Sequence, residues 1–204
     1  DLSEFLGLVL GFLAWILIMI TAGLNEWRLW QVDEVSVITS GVAWVGIWRA
    51  CFYSQVLPQV ENCWSIGISA PFAPPEIPAA QVLMMLAVVS GLAANVCGAV
   101  AMRLAYFSVK NRRNMRLLFL LAGSLYLLTG GVCLVPLLWN MSSVLKNNTI
   151  DFPPHFQLPS APVGQQVGSA IGVGIFASLL TLLSGLLFLC YRYAWRSLRA
   201  EEPV

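Results

Sequence analysis

Residues 117–138, LLFLLAGSLYLLTGGVCLVPLL, contain no Asp, Glu, Lys or Arg, and the charge-free gap runs on to Leu145. A helix crossing the hydrocarbon core needs roughly 20 apolar residues, which this stretch supplies. Three more gaps flank it, at 5–25, 77–102 and 152–191. The first part of the last gap is too rich in proline and polar residues for helix. Four windows remain, about 6–24, 81–101, 117–138 and 167–190. Each is apolar on all faces, as suits lipid rather than a water-facing surface. The reading is a multi-pass membrane protein.

Composition agrees. Of 204 residues, 11 are Lys or Arg and 10 are Asp or Glu, so about 10% are charged while 58% are apolar. A soluble domain usually carries roughly 25% charged residues. Disordered chains lack the apolar residues abundant here. A net charge of +1 excludes a strongly basic nucleic-acid binder.

The charges also set an orientation. Arg103, Lys110, Arg112, Arg113 and Arg116 lie between the second and third windows, and Arg192, Arg196 and Arg199 follow the fourth. The positive-inside rule puts this side in the cytoplasm, together with both termini. The cytoplasmic loop is then 102–116 and the tail 191–204, while loops 25–80 and 139–166 face outward. The first window lacks the basic n-region of a signal peptide and reads as a span.

The first outer loop holds Trp27, Trp30, Trp44, Trp48 and Trp64. Residues 26–32 nearly alternate polar with apolar, which reads as a strand. The runs 41–48, 50–56 and 63–68 read as further strands of a small antiparallel sheet, since two strands alone would be marginal. Residues 70–80 contain Pro71, Pro74, Pro75 and Pro78, and read as a rigid connector rather than helix. Cys97, Cys133 and Cys190 fall in spans, where a thiol packs as a small apolar group. Cys51 and Cys63 lie outside, in an oxidising compartment where pairing is expected over two free thiols. A metal site would need more ligands, and the only histidine, His155, is in the other loop and reads as solvated.

Trp30, Gly46-Ile47-Trp48, Cys51 and Cys63 together resemble the first-loop signature of the claudin family: Trp, Gly-Leu-Trp, Cys, Cys. Pro136-Leu137-Leu138-Trp139 resembles the Pro-x-x-Trp at the outer end of that family's third span. Phe152 and Pro154 are similar to turn residues of its second loop. Gly168-Ser169-Ala170 and Ser184-Gly185-Leu186-Leu187 are similar to its fourth span. The resemblance covers nearly the whole chain and is closest to a divergent member. Ile47 replaces Leu, eleven residues separate the cysteines, Gln81 stands where the family places Arg, and Trp64 follows the second cysteine.

The resemblance implies a single claudin-like domain over 1–204, of membrane α+β class. Its fold would be a left-handed four-helix transmembrane bundle with a small extracellular antiparallel sheet. It implies a tight-junction adhesion protein of the plasma membrane. Such a protein assembles with itself and other claudins in cis and in trans, and controls paracellular permeability. The alternative is an auxiliary subunit of a channel or receptor, as in the myelin-protein and channel-gamma branches of the superfamily.

Further expectations rest on single features. Loop 25–80 holds Arg28 and Arg49 against Glu26, Asp33, Glu34, Glu61 and Glu76, so Asp33, Glu34 and Glu61 are candidates for a cation-favouring surface. Asn140-Met141-Ser142 and Asn147-Asn148-Thr149 are sequons, with Asn147 the better acceptor. Glu202-Pro203-Val204 is a candidate PDZ ligand, recognised by strand addition. Arg192, Arg196 and Arg199 are placed to meet anionic membrane lipid. Cys190 is a candidate for palmitoylation. Gly7-x-x-x-Gly11 and Gly168-x-x-x-Gly172 are expected to allow close helix approach, and Asn95 to bond between helices. No residue set suggests catalysis, a cofactor, a metal, a small-molecule substrate or a nucleic-acid partner. The four windows contain no Asp, Glu, Lys, Arg or His for proton-coupled transport.

Overall fold

The computed structural model describes residues 2–33, 41–54, 59–107, 112–159 and 161–200, without the side chains of 112–113 and 191–200. The element order is α1 (Leu2–Gly23), β1 (Arg28–Gln31), β2 (Val42–Val45), β3 (Arg49–Tyr53), β4 (Glu61–Ser65), α2 (Glu76–Phe107), α3 (Arg112–Leu145), a 3-10 turn (Pro154–Phe156), β5 (Gly164–Val167) and α4 (Ser169–Ala200). All four helices are long and apolar enough to span a membrane. Only 33–39% of each spanning window is buried, so most of its side chains face outward, as lipid allows.

Two compact units emerge, and each helix contributes residues to both. One gathers the chain up to Met19, Leu86–Cys133 and the chain from Phe176. Its core sets Tyr126, Phe119 and Phe188 against one another, with centroid separations of 5.5 Å for Tyr126–Phe188 and 5.7 Å for Phe119–Phe188. Gly7 and Gly11 of α1 make room for these rings. A Cβ on Gly11 would lie 2.6 Å from the Tyr126 ring, and one on Gly7 would lie 3.4 Å from the Phe188 ring. The first small-residue pair therefore receives aromatic side chains from α3 and α4. Tyr126 Oη donates to Asn95 Oδ1 at 2.6 Å, Ser90 and Thr129 hydroxyls pair at 2.8 Å, and Trp15 Nε1 donates to the Val88 carbonyl at 2.8 Å. Such bonds satisfy polar groups where the surroundings offer no water. α1 begins earlier than the apolar window, so Glu4 falls inside it, and its side chain is buried.

The other unit gathers Ile20–Met85 and Leu134–Ile175. It holds a five-stranded antiparallel sheet in the order β4-β3-β2-β1-β5. Trp30, Val45, Phe52, Ile66, Ile77, Ile150, Phe152 and Phe156 share its core. Trp30 is fully buried, meets Phe152 edge-on at 5.3 Å, and donates its indole N–H to the Pro159 carbonyl at 3.0 Å.

Several expected boundaries move. The second helix starts at Glu76 rather than at Gln81, so residues 76–80 are helix and not connector. Pro78 is tolerated because first-turn N–H groups have no intrahelical acceptor. The third helix continues through Trp139 and Asn140 to Leu145, with Pro136 inside it. The fourth window's first residue, Val167, belongs to β5, and α4 begins at Ser169. The four strands expected in the first loop are present with shifted ends.

Candidate functional site

The sheet is built from both long connections. β1 to β4 come from the chain between α1 and α2, while β5 comes from the chain between α3 and α4. β5 pairs with β1 in the register Arg28↔Val167 to Gln31↔Gly164. Cys51 and Cys63 face each other directly across β3 and β4 and are disulfide-bonded. Glu61 lies near them, but with both sulfurs committed to the disulfide the trio offers no thiolate for a metal.

The signature residues hold the sheet together rather than line its surface. Gly46 sits where the β2–β3 turn meets the chain after α1. A Cβ there would lie 2.9 Å from Asn25 Cα and 3.0 Å from the Leu24 carbonyl oxygen. Ile47 is buried and Trp48 half-buried. The Trp48 carbonyl accepts the Ile66 N–H at 2.7 Å.

Gln81 is fully buried, and its Nε2 donates to the carbonyls of Ile47 at 2.6 Å and Ile66 at 3.0 Å. A neutral amide thus bridges the signature turn and the segment after β4. Its Oε1 has no partner among the described residues.

A buried ionic cluster adjoins β1, and of its members only Asn140 belongs to a sequence motif, the first sequon. Alternation along β1 turns Arg28 inward with Trp30, and both are about 1% exposed or less. Arg28 Nη2 donates to Glu76 Oε1 at 3.0 Å and to Asn140 Oδ1 at 2.9 Å. Ser143 Oγ donates to the same Glu76 oxygen at 2.8 Å. Asn140 Nδ2 donates to the carbonyls of Pro136 at 2.9 Å and Glu76 at 3.2 Å. Burial pushes the Arg28 guanidinium below its ordinary value, and the hydrogen bond and charge of Glu76 oppose that shift. With Asn140 and Ser143, the pair ties β1 to the first turn of α2 and the C-terminal part of α3. The one signal in the sequence is an arginine set between aromatic and aliphatic residues in the alternating stretch 26–32, with an acid just ahead of the second apolar window.

This cluster changes the electrostatics. Arg28 and Glu76 neutralise each other in the interior, so neither contributes to a surface. Asp33, Glu61 and Arg49 are exposed, while Glu26 is half-buried and accepts the Ser169 hydroxyl. Glu34 lies outside the described residues. Trp64 is 40% exposed and meets His155 at 5.3 Å and Phe156 at 5.9 Å. His155 is therefore packed against aromatic rings, although it remains exposed.

The remaining candidates are scattered. Asn140 is buried inside α3 with both side-chain polar atoms engaged, whereas Asn147 is exposed in the turn after that helix. Gly168 packs against the backbone of Glu26 and Trp27, not against a helix, and Gly172 faces open space. Cys190 is exposed. Glu202, Pro203 and Val204 lie outside the described residues, and so do the side chains of Arg192, Arg196 and Arg199.

Residues 12–190 match the family model described as PMP-22/EMP/MP20/Claudin tight junction. Among curated proteins, mouse (Mus musculus) Claudin-5 is 29% identical over 195 residues, covering 92% of this chain and 81% of the relative. Claudin-17 of Sus scrofa is 28% identical, covering 88% and 76%, and Claudin-2 of Bos taurus is 27% identical, covering 92% and 77%.

Proposed function

The chain belongs to the PMP-22/EMP/MP20/claudin family, and from that premise we propose that it is an adhesion protein of tight junctions that polymerises side by side in one membrane and contacts partners on the next cell. The reading takes it as one claudin-like domain, a divergent member, with both termini cytoplasmic and the sheet outside. It is a non-enzymatic role, in which the assembly seals the paracellular space or forms a selective path through it. The observation that carries it is the disulfide-stapled sheet that recruits β5 from the second connection, fixing both presumed outer loops as one surface.

The partners are itself and other claudins. A PDZ scaffold on Glu202-Pro203-Val204, anionic lipid on the tail arginines and a palmitoyl group on Cys190 would act on the cytoplasmic side. Exposed Asp33 and Glu61 give the outer surface an acidic bias, joined in sequence by Glu34, and a pore lined by such groups favours cations.

Expression of the full chain in an epithelial monolayer should change transepithelial resistance, and dilution potentials should report cation preference. Cys51→Ser should abolish both effects. Losing a native disulfide from a small outward domain costs about 2–5 kcal/mol, enough to block surface delivery. Wild-type behaviour of this variant would show that the staple is dispensable.

The family description also spans PMP-22, EMP and MP20, which supports a second reading as a lateral auxiliary subunit of a channel or receptor. Affinity capture of one stoichiometric channel partner, with no homotypic contacts, would favour that reading.

A further inference from the structure

We propose that Asn147 is an N-glycosylation site and that Asn140, despite its equally complete sequon, is not. The proposal rests on the orientation above, with the α3–α4 connection on the outer side.

The two acceptor asparagines lie seven positions apart and in opposite environments. Asn140 is 1% exposed; its Oδ1 accepts from Arg28 and its Nδ2 donates to two carbonyls. A glycan on that nitrogen would have to enter the interior and displace both bonds.

Asn147 stands just past the last residue of α3, Leu145. By helical rise the end of α3 lies about 10 Å beyond Leu138, where the apolar window ends. Its backbone is left-handed, with φ 56°, a conformation asparagine tolerates at a helix C-terminus. Its N–H bonds to the Val144 carbonyl at 3.0 Å, so the turn is closed by main chain and the side chain is free to point away. Oδ1 accepts from Gln165 Nε2 at 3.3 Å, while Nδ2 makes no hydrogen bond among the described residues. Asn147, Asn148 and Thr149 are all exposed. The acceptor nitrogen and the Thr149 hydroxyl required by the motif are thus both reachable.

The chemistry is group transfer from a glycan carried on a polyprenyl diphosphate. Asn147 Nδ2 attacks the anomeric carbon, forming the N–C bond as the bond from that carbon to the diphosphate oxygen breaks. The nitrogen loses one proton, and the lipid diphosphate leaves with the bonding electron pair. No oxidation state changes. Gln165 belongs to β5, so the sugar would emerge at the β5 end of the sheet.

The test is expression of the full chain in mammalian cells, with gel mobility read before and after peptide-N-glycosidase. Wild type should show a single-glycan shift that the enzyme removes. Asn147→Gln and Thr149→Ala should each lose the shift, and Thr149→Ala does so with the acceptor intact. Asn140→Ser should keep it. A shift that survives Asn147→Gln, or its absence from wild type, overturns the proposal. Labelling of Lys146→Cys in a Cys190→Ser background, with a membrane-impermeant maleimide, separates two causes of an absent shift. Labelling from outside leaves the orientation standing and rejects the site alone. Labelling only after permeabilisation rejects the orientation as well.

Discussion

Arg28→Met should destabilise the sheet-bearing unit by about 3–5 kcal/mol, the usual cost of removing one member of a buried ion pair. The loss is not the net worth of the pair. It reflects what remains: a Glu76 carboxylate about 4% exposed, with only the Ser143 hydroxyl among the described residues left to donate to it, and an Asn140 carbonyl without its arginine donor. The methionine has a similar stem, so packing is largely kept. Thermal unfolding in detergent, or proteolysis at fixed time, should show the variant far below wild type. Arg28→Met combined with Glu76→Gln should recover part of the loss, because no charge is then stranded. A double variant as unstable as the sum of the two singles would mean that these residues do not interact.

Gly168→Ala should be comparably severe for a different reason. The added methyl would overlap the Glu26 carbonyl and lie 2.9 Å from the Trp27 carbonyl carbon. These are backbone atoms that cannot rotate aside. They also belong to the junction closed by Gly168 N–H to the Trp27 carbonyl and Ala170 N–H to the Glu26 carbonyl. Overpacking costs about 1–3 kcal/mol where side chains can yield, and more where they cannot, so the expected cost is about 3 kcal/mol or above. Gly172→Ala is the control. It has nothing within 4 Å and sits in α4, where alanine is favoured over glycine by about 1 kcal/mol. The first variant should fail to reach the cell surface, while the second should equal or exceed wild type. Equal behaviour of the two would refute the close approach of Gly168 to the backbone of Glu26 and Trp27, just ahead of β1.

The four spans were legible because an uncharged apolar stretch of about 20 residues suits lipid and little else. Strands β1 to β4 were legible because aromatic and β-branched residues cluster in short runs. β5 was not. Gly164-Gln165-Gln166-Val167 has no apolar alternation, and it joins β1 through main-chain pairing that demands little of its side chains. The start of α2 was hidden by Pro78, which is read as a breaker unless the helix N-terminus is already known. Arg28 was counted with the loop's surface charges, because pairing with Glu76 across 48 residues leaves no local trace. Gln81 stands where the family places Arg, which removes a charge from that position. In the fold its neutral amide still anchors, by donating to the carbonyls of Ile47 and Ile66. The signature residues stand out by their pattern. The geometry then places Gly46 and Trp30 in the framework of the sheet, leaving the exposed surface to residues with no distinctive spacing.

Polymerisation within the membrane is the claim on which the functional account turns. The most direct measurement is freeze-fracture electron microscopy of junction-free cells expressing the full chain. Continuous intramembrane strands are expected where two expressing cells meet, and none in cells expressing Gly168→Ala. Protein that reaches the surface, keeps its Cys51–Cys63 bond and yet stays diffuse, with no strands at cell contacts, would contradict it.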